Sequence, residues 1–126
     1  MIKYVDHVAI TVKDLAKSIE FYTDKLGFSV IRQGDTPTQK MVFVGNDLAE
    51  LELFEIKKGV AKDVPPLKAD EVGMKHIAFH VDNLEGMIEE MKKKGVTFTT
   101  EINKRGSRSH IFFKDPDGTI LQLLQG

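Results

Sequence analysis

Val5-Asp6-His7-Val8-Ala9-Ile10-Thr11-Val12-Lys13-Asp14-Leu15 and Met74-Lys75-His76-Ile77-Ala78-Phe79-His80-Val81-Asp82-Asn83-Leu84 are one pattern written twice, 69 positions apart. Each runs apolar, charged, His, apolar, Ala, apolar, polar, Val, then a helix cap and Leu. Internal repetition decides architecture first, because each copy must fold as the same unit. Alternation with period 2 marks both stretches as strands.

A helix follows each strand. In the first half Leu15, Ile19, Tyr22 and Leu26 form an apolar stripe, Asp14 can cap it, and Gly27 ends it. In the second, Leu84, Met87, Ile88 and Met91 form the stripe, Asp82 with Glu85 resembles a capping box, and Gly95 is the stop. Glu89, Lys92, Lys93 and Lys94 read as the solvated face of that helix. Three further strands are expected at 28–33, 40–45 and 49–56, and again at 96–102, 108–114 and 119–125. The last two strands of each half align without a gap at offset 70, which sets Gly45-Asn46-Asp47-Leu48 over Asp115-Pro116-Asp117-Gly118, a strong turn signal. The stretch 57–73, with Lys57-Lys58-Gly59 and Pro65-Pro66, reads as a linker.

The fold expected is therefore α+β: two tandem βαβββ modules, about 1–57 and 73–126, within one domain spanning 1–126. They form a curved mixed sheet around a concave site, with the helices outside. One module alone leaves a sheet face uncovered, so two must pair, within a chain or across a dimer.

Composition narrows the function. The 126 residues carry 18 Lys and Arg against 19 Asp and Glu, a formal net charge of −1. This gives no general attraction to nucleic acid or an acidic membrane. No apolar run is long enough to span a bilayer and the N-terminus does not read as a secretory signal, so a cytoplasmic protein is expected. With no cysteine, disulfides and thiolate ligands are excluded, and any metal would be held by His, Asp, Glu or Gln.

Strand parity then selects candidates. Val8, Ile10 and Val12 share the helix side of their strand with Leu51 and Leu53 of the last strand, and Ile77, Phe79 and Val81 share theirs with Leu121 and Leu123. His7, Ala9 and Thr11 face away, as do Glu50, Glu52 and Phe54. So do His76, Ala78 and His80, with Ile120, Gln122 and Leu124. His7, Glu52, His76 and Gln122 thus occupy equivalent positions on the helix-free face. Two imidazoles, a carboxylate and an amide oxygen suit a divalent ion with positions left open. His80 and His110 are further lining candidates, His110 alternating with Phe112. Arg105 and Arg108 flank Gly106-Ser107 and suit an anion. Glu50 is a candidate outer carboxylate, and Phe54, Leu124 and Met41 are expected apolar walls.

These segments together resemble the vicinal oxygen chelate superfamily of glyoxalase I, methylmalonyl-CoA epimerase, extradiol dioxygenases, fosfomycin-resistance enzymes and bleomycin-binding proteins. Carrying the likeness are Val5 to Gly27-Phe28, Leu51-Glu52-Leu53-Phe54, Gly73 to Phe79, and Phe112-Phe113-Lys114-Asp115-Pro116-Asp117-Gly118-Thr119-Ile120. The resemblance implies that His7, Glu52, His76 and Gln122 are the metal ligands, for Zn, Ni, Mn or Fe. It implies Lewis-acid stabilisation of an enediolate or oxyanion on a small molecule with vicinal oxygens, and a homodimer. One departure matters. The last-strand ligand is usually Glu, which in glyoxalase-like members moves the proton; Gln122 cannot act as a base. Glu52, at the repeat-related position, is the expected catalytic base, with Gln122 as its catalytic partner. The expected activity is a metal-dependent lactoylglutathione lyase-like reaction or a related isomerisation. The alternative is a metal-free drug-sequestering protein of the bleomycin-resistance type. Iron-dependent ring cleavage fits poorly, because its ligand triad needs a carboxylate where Gln122 stands.

Overall fold

A computed structural model describes all 126 residues. The chain divides into two compact units, Met1–Asp63 and Val64–Gly126. The first contains β1 (Val8–Thr11), α1 (Leu15–Glu20), β2 (Ser29–Asp35), β3 (Gln39–Gly45) and β4 (Glu50–Ile56). The second contains β5 (Ile77–His80), α2 (Leu84–Lys93), β6 (Asn103–Arg105), β7 (Arg108–Lys114) and β8 (Ile120–Gln125). Both are βαβββ modules, as the repeat requires. The mixed sheet is realised as two four-stranded sheets, ordered β1-β4-β3-β2 and β5-β8-β7-β6. In each, the first strand runs parallel to the last and the other pairs are antiparallel.

In the first unit Val12, Tyr22, Val42, Val44, Leu51 and Leu53 are buried, the strand residues among them being those of helix-side parity. Asp14 caps α1, its carboxylate accepting from Lys17 N at 3.2 Å. The α-helix is short, however, and continues as a π-helical turn over Phe21–Lys25. The Thr23 hydroxyl donates to the Ile19 carbonyl at 2.7 Å, a competitor for the backbone ladder where it widens. Of the expected stripe only Tyr22 is fully buried; Ser18, not expected there, is the other buried residue of the helix.

In the second unit Leu84, Ile88 and Met91 form the buried stripe of α2, with Met87 half-buried beside them. The expected Asp82 cap is corrected to Asn83, whose side chain accepts from Gly86 N at 3.0 Å. Val81 N still bonds the Leu124 carbonyl, so the chain has yet to leave the sheet edge at Asp82. The Gln125 side chain satisfies a second helix-end donor, Leu84 N, at 2.7 Å. At the far end Val96 N reaches Met91 O and Gly95 N reaches Lys92 O around Gly95 at φ 87°, a Schellman stop. Lys93 and Lys94 pair with Glu89 and Glu90 one turn back, on a solvated face.

Two further expectations are corrected. Residues 96–102 do not form a strand; β6 is Asn103–Arg105, and the earlier stretch makes a single bridge, Phe98 to Phe113. The Thr100 hydroxyl accepts from Phe112 N at 3.2 Å, taking a place that a strand carbonyl would fill. Nor do the final hairpins align without a gap. Gly45 pairs with Glu50 across four residues, Lys114 with Ile120 across five. Asn46 accepts from Leu48 N and Ala49 N, while Asp115 accepts from Asp117 N and Thr119 N. These side-chain-anchored turns begin 69 positions apart, so Phe43 corresponds to Phe112, not to Phe113.

Candidate functional site

The register sets the candidate residues of the first unit on one face. Ala9 lies opposite Glu52, and Glu52 opposite Phe43. His7, two residues before Ala9, shares that face. Its Nε2 lies 3.9 Å from Glu52 Oε1, and its Nδ1 lies 2.8 Å from an Asp6 carboxylate oxygen. An ionised carboxylate only accepts, so Nδ1 donates to Asp6, and in the neutral imidazole Nε2 then presents its lone pair. That lone pair faces the Glu52 carboxylate, and two electron-pair donors opposed in this way are suited to a cation between them. Two ligands each about 2.1 Å from one ion lie roughly 3–4 Å apart, which the pair satisfies. The edge of His7 meets Phe43 at 5.3 Å between ring centroids. Arg32 covers the face of Phe43 at 4.0 Å and bonds Glu50 at 2.9 Å. Glu50, the candidate outer carboxylate, is thus held by Arg32.

The second unit repeats the frame with different chemistry. Ala78 lies opposite Gln122, and Gln122 opposite Phe112. The edge of His76 meets Phe112 at 5.1 Å, and His110 meets the same ring at 5.5 Å. Gln122 is only 8 % exposed, on a strand whose other buried residues are Leu121 and Leu123. The residue before His76 is Lys75, whose ammonium bonds the carbonyls of Lys68 and Glu71 and ties down the linker. His80 is exposed opposite Leu124, which also lies opposite His110. Phe54 is half-buried beside Thr11 and Met41, as a wall residue would be. Arg105 and Arg108 face each other across the last rung of the β6–β7 hairpin. Neither unit brings three His, Asp or Glu side chains together at ligating distance.

Sequence reasoning missed Asp6, Arg32 and Phe43; it placed Phe112 beside His110 but not opposite Gln122. Asp6 was legible as the carboxylate next to a candidate ligand. The correspondence of Phe43 to Phe112 was hidden by the turn of unequal length.

Nearly the whole chain matches a known family. Residues 4–123 fit the glyoxalase/bleomycin resistance protein/dioxygenase superfamily, and the chain belongs to it. Among its relatives, a probable lactoylglutathione lyase of Vibrio cholerae is 35% identical over 126 residues, covering 94% of this chain and 88% of that one. The structure of the trypanothione-dependent glyoxalase I of Leishmania major is similar at a TM-score of 0.75 and 33% identity, over 98% of this chain and 86% of that one. An antibiotic-binding protein from a Streptomyces strain shares the fold at a TM-score of 0.76, over 98% of this chain and 96% of that one, with 17% identity. No helix of the chain is long and apolar enough to cross a membrane.

Proposed function

We propose that the protein is a metal-dependent lyase or isomerase of the glyoxalase I and epimerase kind, acting on a small molecule with vicinal oxygens such as a 2-oxoaldehyde thiol adduct. The observation that carries this reading is the opposed pair of His7 Nε2 and Glu52 Oε1, 3.9 Å apart, with His7 held from behind by Asp6. A carboxylate that backs a ligating imidazole fixes its tautomer and ring plane, an arrangement a purely structural strand histidine does not need. Similarity to the Vibrio and Leishmania proteins supports the same class.

In this reading His7, Glu52, His76 and Gln122 hold the ion, the last two contributed by the same chain or by a partner copy. A divalent ion supplies stabilisation of negative charge on the substrate oxygens when bound. Glu52 takes a proton from the carbon next to the carbonyl and returns it, a task the Gln122 amide cannot perform. Gln122 contributes a neutral oxygen, and Phe43 and Phe112 shield the face from water. A homodimer belongs to this reading; Met1, Ile2, Tyr4, Val5 and Leu48 leave apolar surface of the first unit for such an interface.

The test is metal content after chelator-free purification, with solvent deuterium exchange into a thiol hemiacetal of methylglyoxal. A stoichiometric ion, lost in His7→Ala and in His76→Ala, is expected together with exchange. A metal-free protein that binds aromatic drugs tightly and exchanges nothing would replace this reading with the sequestering one.

A further inference from the structure

Glu50 and Glu52 are rivals for one place. Both lie on the helix-free face of β4, alternating with the buried Leu51 and Leu53, and are separated by about 7 Å along the strand. Carrying the parallel register of Val8 and Leu51 back by one residue sets His7 level with Glu50, yet the carboxylate that His7 faces is Glu52. Burial does not choose between the two, since their side chains are 21 % and 18 % exposed. What separates them is Arg32. Its guanidinium donates to Glu50 at 2.9 Å and leaves Glu52 to His7.

Arg32 reaches that position through an irregularity. β2 pairs with β3 as far as Val30 opposite Val44, then Ile31 is passed over and Arg32 lies opposite Phe43. An unbroken ladder would set Ile31 opposite Phe43 and turn Arg32 to the helix side, opposite the buried Val42. The bulge re-aims the arginine. Arg32, Phe43, Glu52 and Ala9 then form one row across the sheet. The guanidinium lies over the face of Phe43 at 4.0 Å, and His7 meets the same ring at 5.3 Å. Stacking fixes the plane of the fork, and the fork fixes Glu50.

The second unit lacks both the rival and the device. Ile120 stands where Glu50 does, two residues before Gln122. The chain beside Phe112 supplies Thr99 and Thr100, not an arginine.

We propose that Arg32 is a positioning residue that selects Glu52 over Glu50 as the carboxylate opposite His7. A freed Glu50 competes with Glu52 for any positive charge that His7 faces, whether a bound cation or the protonated share of the ring itself. Tied to Arg32, Glu50 is neutralised and held aside. The selection stands on the first unit alone. That the selected pair holds an ion and moves a proton rests on the function proposed above.

Arg32 is half-exposed on an edge strand, so Arg32→Gln should fold, with a melting temperature within about 5 °C of the unaltered protein. Nuclear Overhauser contacts in the metal-free protein test the selection. The His7 ring should contact the Glu52 methylenes more strongly than those of Glu50, and that ratio should fall at least threefold in Arg32→Gln. In a Glu50→Gln background the same Arg32→Gln change should leave the His7–Glu52 contact at full strength, because the rival is gone. An unchanged ratio in Arg32→Gln would overturn the proposal. A loss that persists in the Glu50→Gln background would overturn it too, since Arg32 would then act by packing on Phe43 alone. Titration with Zn2+ by itself separates this from the catalytic reading. The ion should shift Glu52 and spare Glu50 in the unaltered protein, and shift both in Arg32→Gln; shifts that still spare Glu50 in the variant count against selection. If no variant binds Zn2+, the metal-dependent function falls, while the metal-free contacts still decide the role of Arg32.

Discussion

His7 and His76 stand at the same place in two copies of one fold, and their surroundings differ in sign. Each lies edge-on to a phenylalanine of the third strand, which pairs with the residue of interest on the fourth. Around His7 are two carboxylates, Asp6 and Glu52. At the equivalent positions around His76 stand Lys75 and Gln122. The frame is duplicated and the charge is not. The lesson is a division of labour. The first unit carries the groups that can attract a cation and move a proton, while the second offers neutral donors and, at its hairpin end, positive charge. In the proposed site a symmetric pair of glutamates would put two negative groups on one ion. Under the proposed function the asymmetric set leaves one base, Glu52, and with it one group whose loss should stop the chemistry.

Exchanging the fourth-strand residues breaks the comparison most sharply. Glu52→Gln should lower turnover by about 100- to 10,000-fold, the usual contribution of a positioned base. Gln122→Glu should retain activity and bind the ion more tightly. Single-turnover kinetics with parallel metal titration measures both, and equal losses in the two variants would contradict the division. The next effect concerns the frame itself. Leu53 and Leu123 are repeat-related and fully buried, so Leu53→Ala and Leu123→Ala should each cost about 2–5 kcal/mol in urea unfolding. If one of them cost under about 1 kcal/mol, the two units would not be packed alike. Asp6→Asn comes third. Loss of a carboxylate behind a ligating imidazole typically weakens metal binding about 10- to 100-fold. Lys75→Ala at the matching position should leave metal affinity unchanged, because Lys75 binds linker carbonyls and not His76. Isothermal titration of both variants decides it.

These differences were unequally legible. The repeated strand with its His, the helix stripes and the period-2 parity of Glu52 and Gln122 were readable, because they depend on spacing within one element. What depended on side chains satisfying backbone groups was not. Thr100 replaced a rung of β6, Thr23 accompanied a widened helix, and Asn83 displaced Asp82 as a cap. Each is a short polar side chain competing with a regular backbone bond, a contest that apolar periodicity does not register. The extra residue of the Asp115 turn had the largest consequence. It shifted the correspondence of the third strands by one position, so that Phe112 and not Phe113 matches Phe43, and Phe112 pairs with Gln122. The pairing of Asn46 with Asp115 as turn anchors was the signal that would have found it.

The hairpin ends supply the smallest test, and it separates the units by pH. Asp35, at the end of β2, forms an ion pair with Lys57 and lies opposite Lys40. The hydrogen bond from Lys57 holds the Asp35 carboxyl below its ordinary value, against a smaller opposing effect of desolvation. A carboxyl held lower in the folded chain stabilises it above the unfolded pKa, and that contribution fades as pH falls through the folded value. Asp35→Asn should therefore lower the melting temperature slightly at neutral pH and not at all in strong acid. The difference should shrink in high salt, since the carboxylate is exposed. Arg105 and Arg108 face no carboxylate, so the change in melting temperature on Arg108→Gln should stay constant through the same acid range. A difference for Arg108→Gln that vanished in acid would reveal a carboxylate partner for Arg108 and make the two hairpin ends alike.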